Sequence, residues 1–207
     1  MENEARAAVR TGRAWDEPAT RRAWRRTVCF RCAVLVCCLL GLCAWLFAVV
    51  TTPAWLLVLW LPVLCAGLWY TLLAASVAAT LPGVRRVLRV YPWQADGAEV
   101  SVGKGRGARF TVADPERVGK AVRLGHGGVI GTGRHFWVRA ARSGRCTTAW
   151  FAGDPRYVAV VATPGPGNLL RVAQREALDS RMSPRSRGVS AEARARARAA
   201  GARVGGA

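Results

Sequence analysis

Residues 32–84 read CAVLVCCLLGLCAWLFAVVTTPAWLLVLWLPVLCAGLWYTLLAASVAATLPGV and contain no Asp, Glu, Lys, Arg or His. A charged side chain at the centre of a bilayer costs roughly 2.5–3.5 kcal/mol on insertion scales, so a long uncharged run is typical of segments that have lipid as their solvent. One helix crosses about 30 Å of hydrocarbon with about 20 residues. The 53 uncharged positions therefore predict two spans joined by a tight turn.

The two spans are predicted to be antiparallel helices at residues 28–50 and 54–81, with an extracellular turn at residues 51–53. Pro62 removes one backbone hydrogen bond from the second helix and is expected to kink it. The pairs Ala74 with Ala78 and Ala75 with Ala79 permit close approach of the first helix. An apolar stripe at spacings of three and four predicts the helix–helix seam; it comprises Cys29, Cys32, Val36, Leu40, Cys43 and Phe47.

The distribution of arginine predicts the orientation. Eight arginines precede the uncharged run and none lies in the turn, while three follow the second span directly. Because Lys and Arg are retained in the cytosol, both termini are expected to be cytoplasmic in a multi-pass protein of the cell membrane. The residues assigned to the membrane interface are Arg21, Arg22, Trp24, Arg25, Arg26, Arg31, Trp55, Arg85, Arg86 and Arg89. Residues 20–24 are weakly similar to a twin-arginine export signal, but the second span favours a retained anchor.

After residue 84 the pattern changes to short runs rich in Val, Phe, Trp and Tyr, separated by Gly and Asp-Pro. Several strands at spacings of roughly ten residues predict a small antiparallel all-β domain at residues 84–168. The expected fold class is therefore an α+β membrane protein with disordered termini. The predicted strands are Arg86–Trp93, Glu99–Val102, Ala108–Val112, Ala121–Leu124, His135–Ala140, Thr147–Ala152 and Tyr157–Thr163.

Aromatic residues of this domain point to a candidate partner surface. Phe136 is followed by Trp137, and Trp150 by Phe151. Because side chains alternate between the two faces of a strand, one member of each pair is expected to face outward. The candidate surface comprises Trp93, Trp137 and Trp150.

Composition offers no recognisable chemistry. Seven cysteines lie mostly in the uncharged run, which does not resemble the disulfide framework of a secreted domain. Gly97 and Gly103-Lys104 are spaced one residue too far apart for a phosphate-binding loop. His126, His135 and Cys146 match no structural zinc spacing. We therefore expect no catalytic residue, cofactor or metal, although eight acidic residues after the spans leave a carboxylate pair open.

The two ends of the chain are strongly basic. The formal net charge is +19, from 31 Lys and Arg against 12 Asp and Glu. Residues 1–27 are predicted to be a basic cytosolic segment, and residues 169–207 a disordered Arg/Ala-rich tail. Arg alternates with Ala over residues 193–200, a period of two that does not predict an amphipathic helix. A solvated tail is the favoured interpretation; contact with anionic lipid headgroups is the first alternative, and nucleic acid is a weaker one.

Two segments carry a resemblance. Arg89-Val-Tyr-Pro-Trp93, and Ala149-Trp-Phe-Ala-Gly-Asp-Pro-Arg156 with the Pro-Gly-Pro-Gly run at residues 164–167, are similar to segments of uncharacterised two-span integral membrane proteins of high-GC actinobacteria. The resemblance implies a membrane protein with a small cytosolic domain and no established activity. Membrane proteins with pleckstrin-homology-like domains are similar in layout only.

Three functional hypotheses follow. The first is a non-enzymatic anchor or scaffold whose cytosolic domain binds a protein partner or anionic lipid. The second is an accessory subunit of a transporter or channel, formed by oligomerisation of the hairpin. The lack of Asp, Glu, Lys, Arg and His within residues 32–84 argues against ion transport. The third and least favoured is a membrane-bound enzyme, which would need a deep pocket with converging polar groups.

Overall fold

The computed structural model describes residues 12–51, 53, 57–102, 108–114, 120–124, 132–173, 189–202 and 204. A 3-10 turn at Ala14–Asp16 precedes the helices α1 (Pro18–Thr51), α2 (Leu57–Ala79) and α3 (Leu81–Val90). The strands β1 (Gln94–Val102), β2 (Ala108–Ala113) and β3 (Ala121–Leu124) follow, then α4 (Thr132–Arg142). The strands β4 (Thr148–Asp154), β5 (Val158–Thr163) and β6 (Gly167–Val172) and the helix α5 (Ala191–Ala199) complete the fold.

The helices α1 and α2 pack against each other as the predicted hairpin. The 34 residues of α1 rise about 51 Å, and the helix begins ten residues before the predicted span. Thr80 keeps helical backbone angles, so α3 continues directly from α2. Two segments, Pro18–Thr51 and Leu61–Val90, are long and apolar enough to cross a membrane, and none of their most apolar stretch is buried within the protein.

The face of α1 that the sequence predicts to form the helix–helix seam is wrong. Leu40 and Phe47 of the predicted stripe are 63% and 75% exposed. The half-buried residues of α1 within the uncharged run are instead Leu35, Cys38, Leu42, Trp45, Ala48 and Val49. Those of α2, among its described side chains, are Leu64, Gly67, Thr71, Leu73, Ala74, Val77 and Ala78, whereas Ala75 and Ala79 are exposed. The helix is apolar on all sides, so hydrophobic spacing occurs on several faces and does not identify the one that packs.

All six strands form one antiparallel sheet in the order β3-β2-β1-β4-β5-β6. The helix α4 connects the edge strand β3 to β4 at the centre, where β4 pairs with β1. The turn between β4 and β5 is the predicted Asp-Pro turn, closed by the Tyr157 amide donating to the Asp154 carbonyl at 3.0 Å. The next hairpin turns at Pro164-Gly165, where Gly165 has the positive φ of 84° that a type II turn requires.

Two predicted strands are helices, so the all-β domain is a correction. Residues 86–90 of the first lie in α3, where Val84, Val87 and Leu88 recur at helical spacing and are buried. His135–Ala140 lies in α4, where Trp137 and Ala140 are buried one turn apart. Short runs of Val and aromatic residues fit both a strand and a helix that packs one face on a sheet, which is why spacing alone misassigned them.

The sheet separates two hydrophobic cores. On one face, α4 places Trp137 against Phe110 and Phe151 and a set of small and branched residues from all six strands. On the other face, α3, the 3-10 turn and the residues after α5 pack over strands β4 to β6. The first turns of α1 reach the same face and contact β6. The membrane-type hairpin is thus built directly onto the sheet.

The prediction of disordered termini is wrong for the described parts of both. Residues 12–27 form the 3-10 turn and the start of α1, and residues 191–199 form α5. Ser190 caps α5 by accepting a hydrogen bond from the Ala193 amide at 3.2 Å. The period-two pattern places Ala at every fourth position as well, and Ala193 and Ala197 are buried on one side. Residues 1–11 and 174–188 lie outside the described residues.

Candidate functional site

The junction between the hairpin and the sheet contains buried polar contacts. The Trp93 indole Nε1 donates to the Thr20 hydroxyl at 2.9 Å, and both side chains are fully buried. The Ala14 amide donates to the Tyr91 carbonyl at 2.9 Å. These bonds connect the start of α1 to the end of α3, so the domain is fixed to both helices of the hairpin.

Arg31 joins the two long helices at the end of the hairpin that is nearest the sheet. Its guanidinium donates to the Val77 carbonyl at 3.2 Å and to the Thr80 hydroxyl at 3.3 Å. The Val77 carbonyl also accepts hydrogen bonds from the Thr80 amide at 3.2 Å and from the Thr80 hydroxyl at 2.7 Å, so Arg31 joins a hydrogen-bonded cluster where α2 passes into α3. Arg31 is therefore held by the end of α2, rather than extending along α1 towards the headgroups.

An arginine–tryptophan cluster lies where α1 and α3 leave the hairpin. The Arg85 guanidinium carbon is 5.2 Å from the Trp15 ring centroid and 5.3 Å from that of Trp24. The two indole rings are edge-to-face, 5.3 Å apart at 76°. The Arg89 guanidinium carbon is 5.6 Å from the Trp15 ring. Each such cation–π contact contributes about 0.5–1 kcal/mol at exposed sites and more when desolvated.

The described residues supply no acceptor to this cluster. Arg85 Nε and Trp24 Nε1 are both enclosed without a hydrogen-bond partner. No ion pair joins Arg85 or Arg89 to a carboxylate anywhere in the described ranges. The sequence predicted Trp24, Arg85 and Arg89 as interface residues but not Trp15, because only the fold brings the 3-10 turn against α3.

The other predicted interface residues are distributed around this cluster. Arg21, Arg22, Arg25 and Arg26 are exposed on the first turns of α1, and Arg86 is exposed on α3. Trp55 lies outside the described residues. The structure thus brings the arginines from before and after the hairpin to one end of it.

The candidate partner surface is a correction for two of its three residues. Trp93 and Trp137 are 1% and 0% exposed. Trp93 packs on Trp150 with 6.1 Å between the ring centroids, and Trp137 packs on Phe110 with 5.2 Å between the ring centroids. Trp150 is half-buried. Neither aromatic pair lies on a strand with one open face, because α3 covers one face of β4 and Trp137 is on a helix.

Arg171 on β6 lies at the same end of the sheet. Its guanidinium lies next to Gly83 at the start of α3. A Cβ atom added to Gly83 would lie 3.1 Å from Arg171 Nη1. Burial lowers the pKa of Arg171 from its ordinary value, because the charged form loses hydration. Arg171 adds a further, half-buried positive charge beside the hairpin.

A second polar cluster lies under α5. The Asp154 carboxylate accepts two side-chain hydrogen bonds from Arg156, at 2.9 and 2.8 Å, with both residues about 5% exposed or less. The neighbouring Tyr91 hydroxyl is buried without a partner. Burial, and next the negative charge of Asp154, raise the pKa of Tyr91 to about 12. The fixed bidentate geometry suits a structural ion pair that shapes the β4–β5 turn.

Among the described residues, no group of three or more His, Cys, Asp and Glu is placed to hold a metal ion. Cys29 and Cys32 are free and exposed on α1, and Cys146 is free and half-buried. Comparison of the chain with protein-family models, with curated proteins and with solved structures finds no match.

Proposed function

We propose that this chain is an integral membrane protein in which a helical hairpin holds an α+β domain against the cytosolic leaflet as a non-enzymatic anchor or scaffold. The observation that carries the proposal is the junction itself. The helix α1 passes without a break from its exposed apolar portion to the sheet, where Thr20 binds Trp93. A domain held in this way keeps one orientation to the bilayer, which a flexible linker would not provide.

Exposed apolar side chains support the membrane location of the hairpin. Val50, Phe47 and Leu72 are 85%, 75% and 67% exposed. Soluble monomeric proteins rarely present contiguous apolar surface beyond a few hundred Å². In a bilayer the same surface carries no penalty, and the arginines at one end of the hairpin favour the cytosolic side for that end.

The proposed partner surface is the open half of the sheet. On the face that α3 covers at β4 to β6, strands β1 to β3 expose Glu99, Ser101, Arg109, Ala113 and Arg123. This face is polar with two arginines, so it fits a protein partner that presents carboxylates. It replaces the tryptophan surface that the sequence suggested.

Site-directed labelling tests the proposed topology. In a variant without its native cysteines, Thr51→Cys places a thiol at the exposed outer end of α1 and Ala113→Cys places one on the exposed face of β2. A membrane-impermeant maleimide applied to intact cells is expected to label Thr51→Cys alone, and to label Ala113→Cys only after lysis. The reverse pattern, or extraction of the protein from membranes by alkaline carbonate, would contradict the proposal.

Partner capture tests the scaffold role. The full chain, extracted from native membranes in mild detergent, is expected to retain a protein partner that the double variant Arg109→Glu/Arg123→Glu loses. The matched control is Arg139→Glu/Arg142→Glu, which makes the same charge change on exposed positions of α4. Equal recovery from all three proteins, or no partner at all, counts against this surface.

A further inference from the structure

We propose that Arg85 and Arg89, held against Trp15 and Trp24, form a binding site for the phosphate group of an anionic lipid headgroup. The site deepens the proposed function and rests on it, because it needs the hairpin in the bilayer. It assigns a ligand class to the junction, whereas the open face of the sheet is assigned to a protein partner.

The geometry of the cluster leaves hydrogen-bond donors available. The Arg85 guanidinium rests in the angle between two edge-to-face indole rings, and Arg89 lies one helical turn further on over the first ring. An arginine that stacks on an aromatic ring uses the face of its guanidinium, while its N–H donors lie in the plane of that group. Such a donor fork matches phosphate bidentately.

The cluster also lacks an anion that its chemistry calls for. Arg85 Nε and Trp24 Nε1 are enclosed donors without an acceptor among the described residues, and a buried donor without an acceptor is destabilising. Arg85 and Arg89 are like charges at positions i and i+4 of one helix, which repel each other. Neither is paired with a carboxylate in the described part of the chain. A single phosphate group relieves this repulsion and supplies acceptor oxygens to the guanidinium donors other than the enclosed Arg85 Nε, since Arg85 is half-buried and Arg89 exposed.

The position of the cluster favours a lipid as the source of that phosphate. Arg85 directly follows Val84, the last residue of the uncharged run. It lies five residues beyond Thr80, where Arg31 closes the hairpin, a rise of about 7.5 Å along the helix. The polar headgroup region is about 5–8 Å thick on each side of the hydrocarbon. The cluster therefore lies at headgroup depth, where indole rings are also enriched.

Retention of defined lipids by the full chain tests the site. The protein is exchanged into mixed micelles of detergent with phosphatidylcholine, phosphatidylglycerol and phosphatidic acid, and the lipids that remain bound are identified by native mass spectrometry. We expect wild-type protein to retain an anionic lipid in preference to phosphatidylcholine. Arg85→Gln/Arg89→Gln is expected to reduce that preference about tenfold or more, since two charge-assisted contacts are lost.

Matched variants distinguish specific binding at Arg85 and Arg89 from a general electrostatic attraction of anionic lipid to the basic surface. Arg22→Gln/Arg25→Gln removes the same charge from exposed positions of α1 and is expected to change the preference by less than about threefold. Arg85→Lys/Arg89→Lys keeps the charge but lacks the planar fork, and an intermediate loss is expected. Trp15→Leu keeps every charge and should also lower the preference. An equal loss in the Arg22/Arg25 variant, or no loss in the Arg85/Arg89 variant, overturns the site.

Two further measurements keep the interpretation unambiguous. The first is phosphorus NMR with inorganic phosphate, on protein in phosphatidylcholine nanodiscs, and we expect it to show no saturable binding. If inorganic phosphate binds saturably and Arg85→Gln/Arg89→Gln abolishes that binding, the site belongs to soluble phosphate and the lipid assignment is overturned. Membrane integration and thermal unfolding of each variant are measured in parallel. Loss of lipid preference with normal integration concerns this site alone, whereas failure of the wild-type protein to integrate contradicts the proposed function.

Discussion

At the scale of single residues, some buried polar groups of the domain have a hydrogen-bond partner and others do not. Thr20 and Trp93 satisfy each other, and Asp154 is paired with Arg156 through two side-chain contacts. The Tyr91 hydroxyl is buried without a partner. A satisfied pair is costly to break, whereas an unsatisfied hydroxyl costs little or nothing to remove.

Tyr91 therefore makes the stability of the domain depend on pH at the alkaline end. Its pKa is about 12 in the folded protein against an ordinary value of 10.0. Between these values the unfolded chain binds fewer protons than the folded one, so the free energy of unfolding falls as pH rises, by up to about 2 kcal/mol. Tyr91→Phe is expected to abolish this fall without loss of stability at neutral pH.

The measurement uses chains in which Tyr70 and Tyr157 are Phe, so that Tyr91 is the last of the three tyrosines. Tyrosinate absorbance should then rise near pH 12 in the folded protein, and near the ordinary value in denaturant. A folded-state midpoint equal to that in denaturant would show that Tyr91 is not buried as described.

At the scale of elements, the helices of the hairpin pack through small residues. A Cβ atom added to Gly67 on α2 would lie 3.0 Å from Leu42 Cδ2 on α1, whereas one on Gly41 would meet nothing within 4 Å. Without water between helices, association relies on such close packing. Whether a glycine contributes to the packing of α1 on α2 thus depends on whether it faces the other helix.

Gly67→Leu is expected to separate the hairpin locally and to destabilise it by about 1–3 kcal/mol, because a well-packed site does not accommodate a large side chain without displacement. Gly41→Leu, the matched control, should leave stability within about 0.5 kcal/mol. Thermal unfolding in one detergent, with a Cys–Cys cross-link across the seam as a second readout, measures both. Equal effects of the two substitutions would contradict the described seam.

At the scale of the whole molecule, the hairpin and the domain form one unit through a shared core. The 3-10 turn, α3 and the segment after α5 cover the same face of β4 to β6. The first turns of α1 close this face through Thr20 and β6. Movement of the hairpin relative to the domain would expose this core, so the two are expected to move together.

Thr20→Val is expected to weaken that coupling. It removes the acceptor of Trp93 Nε1 at nearly constant volume, leaving a buried donor unsatisfied at a cost of about 1–3 kcal/mol. Thr27→Val is the matched control, since the Thr27 hydroxyl donates only to the Ala23 carbonyl of its own helix. Hydrogen exchange of α1 residues near Thr20 and of β6 should rise together in the first variant and stay unchanged in the second. Unchanged exchange in both would contradict a shared core.

The sequence alone determined the features that depend on composition: the uncharged run, the two long helices, the antiparallel sheet with most of its strands, and the Asp154-Pro155 turn. It did not determine which side of α1 packs on α2, since an apolar helix offers several equivalent stripes. It also did not determine that α3 and α4 are helices, because short apolar runs fit either structure until a sheet is present to pack against. The arginine–tryptophan cluster depends wholly on tertiary structure, since residues 70 positions apart in the chain meet only when α1 and α3 dock on the same face of the sheet.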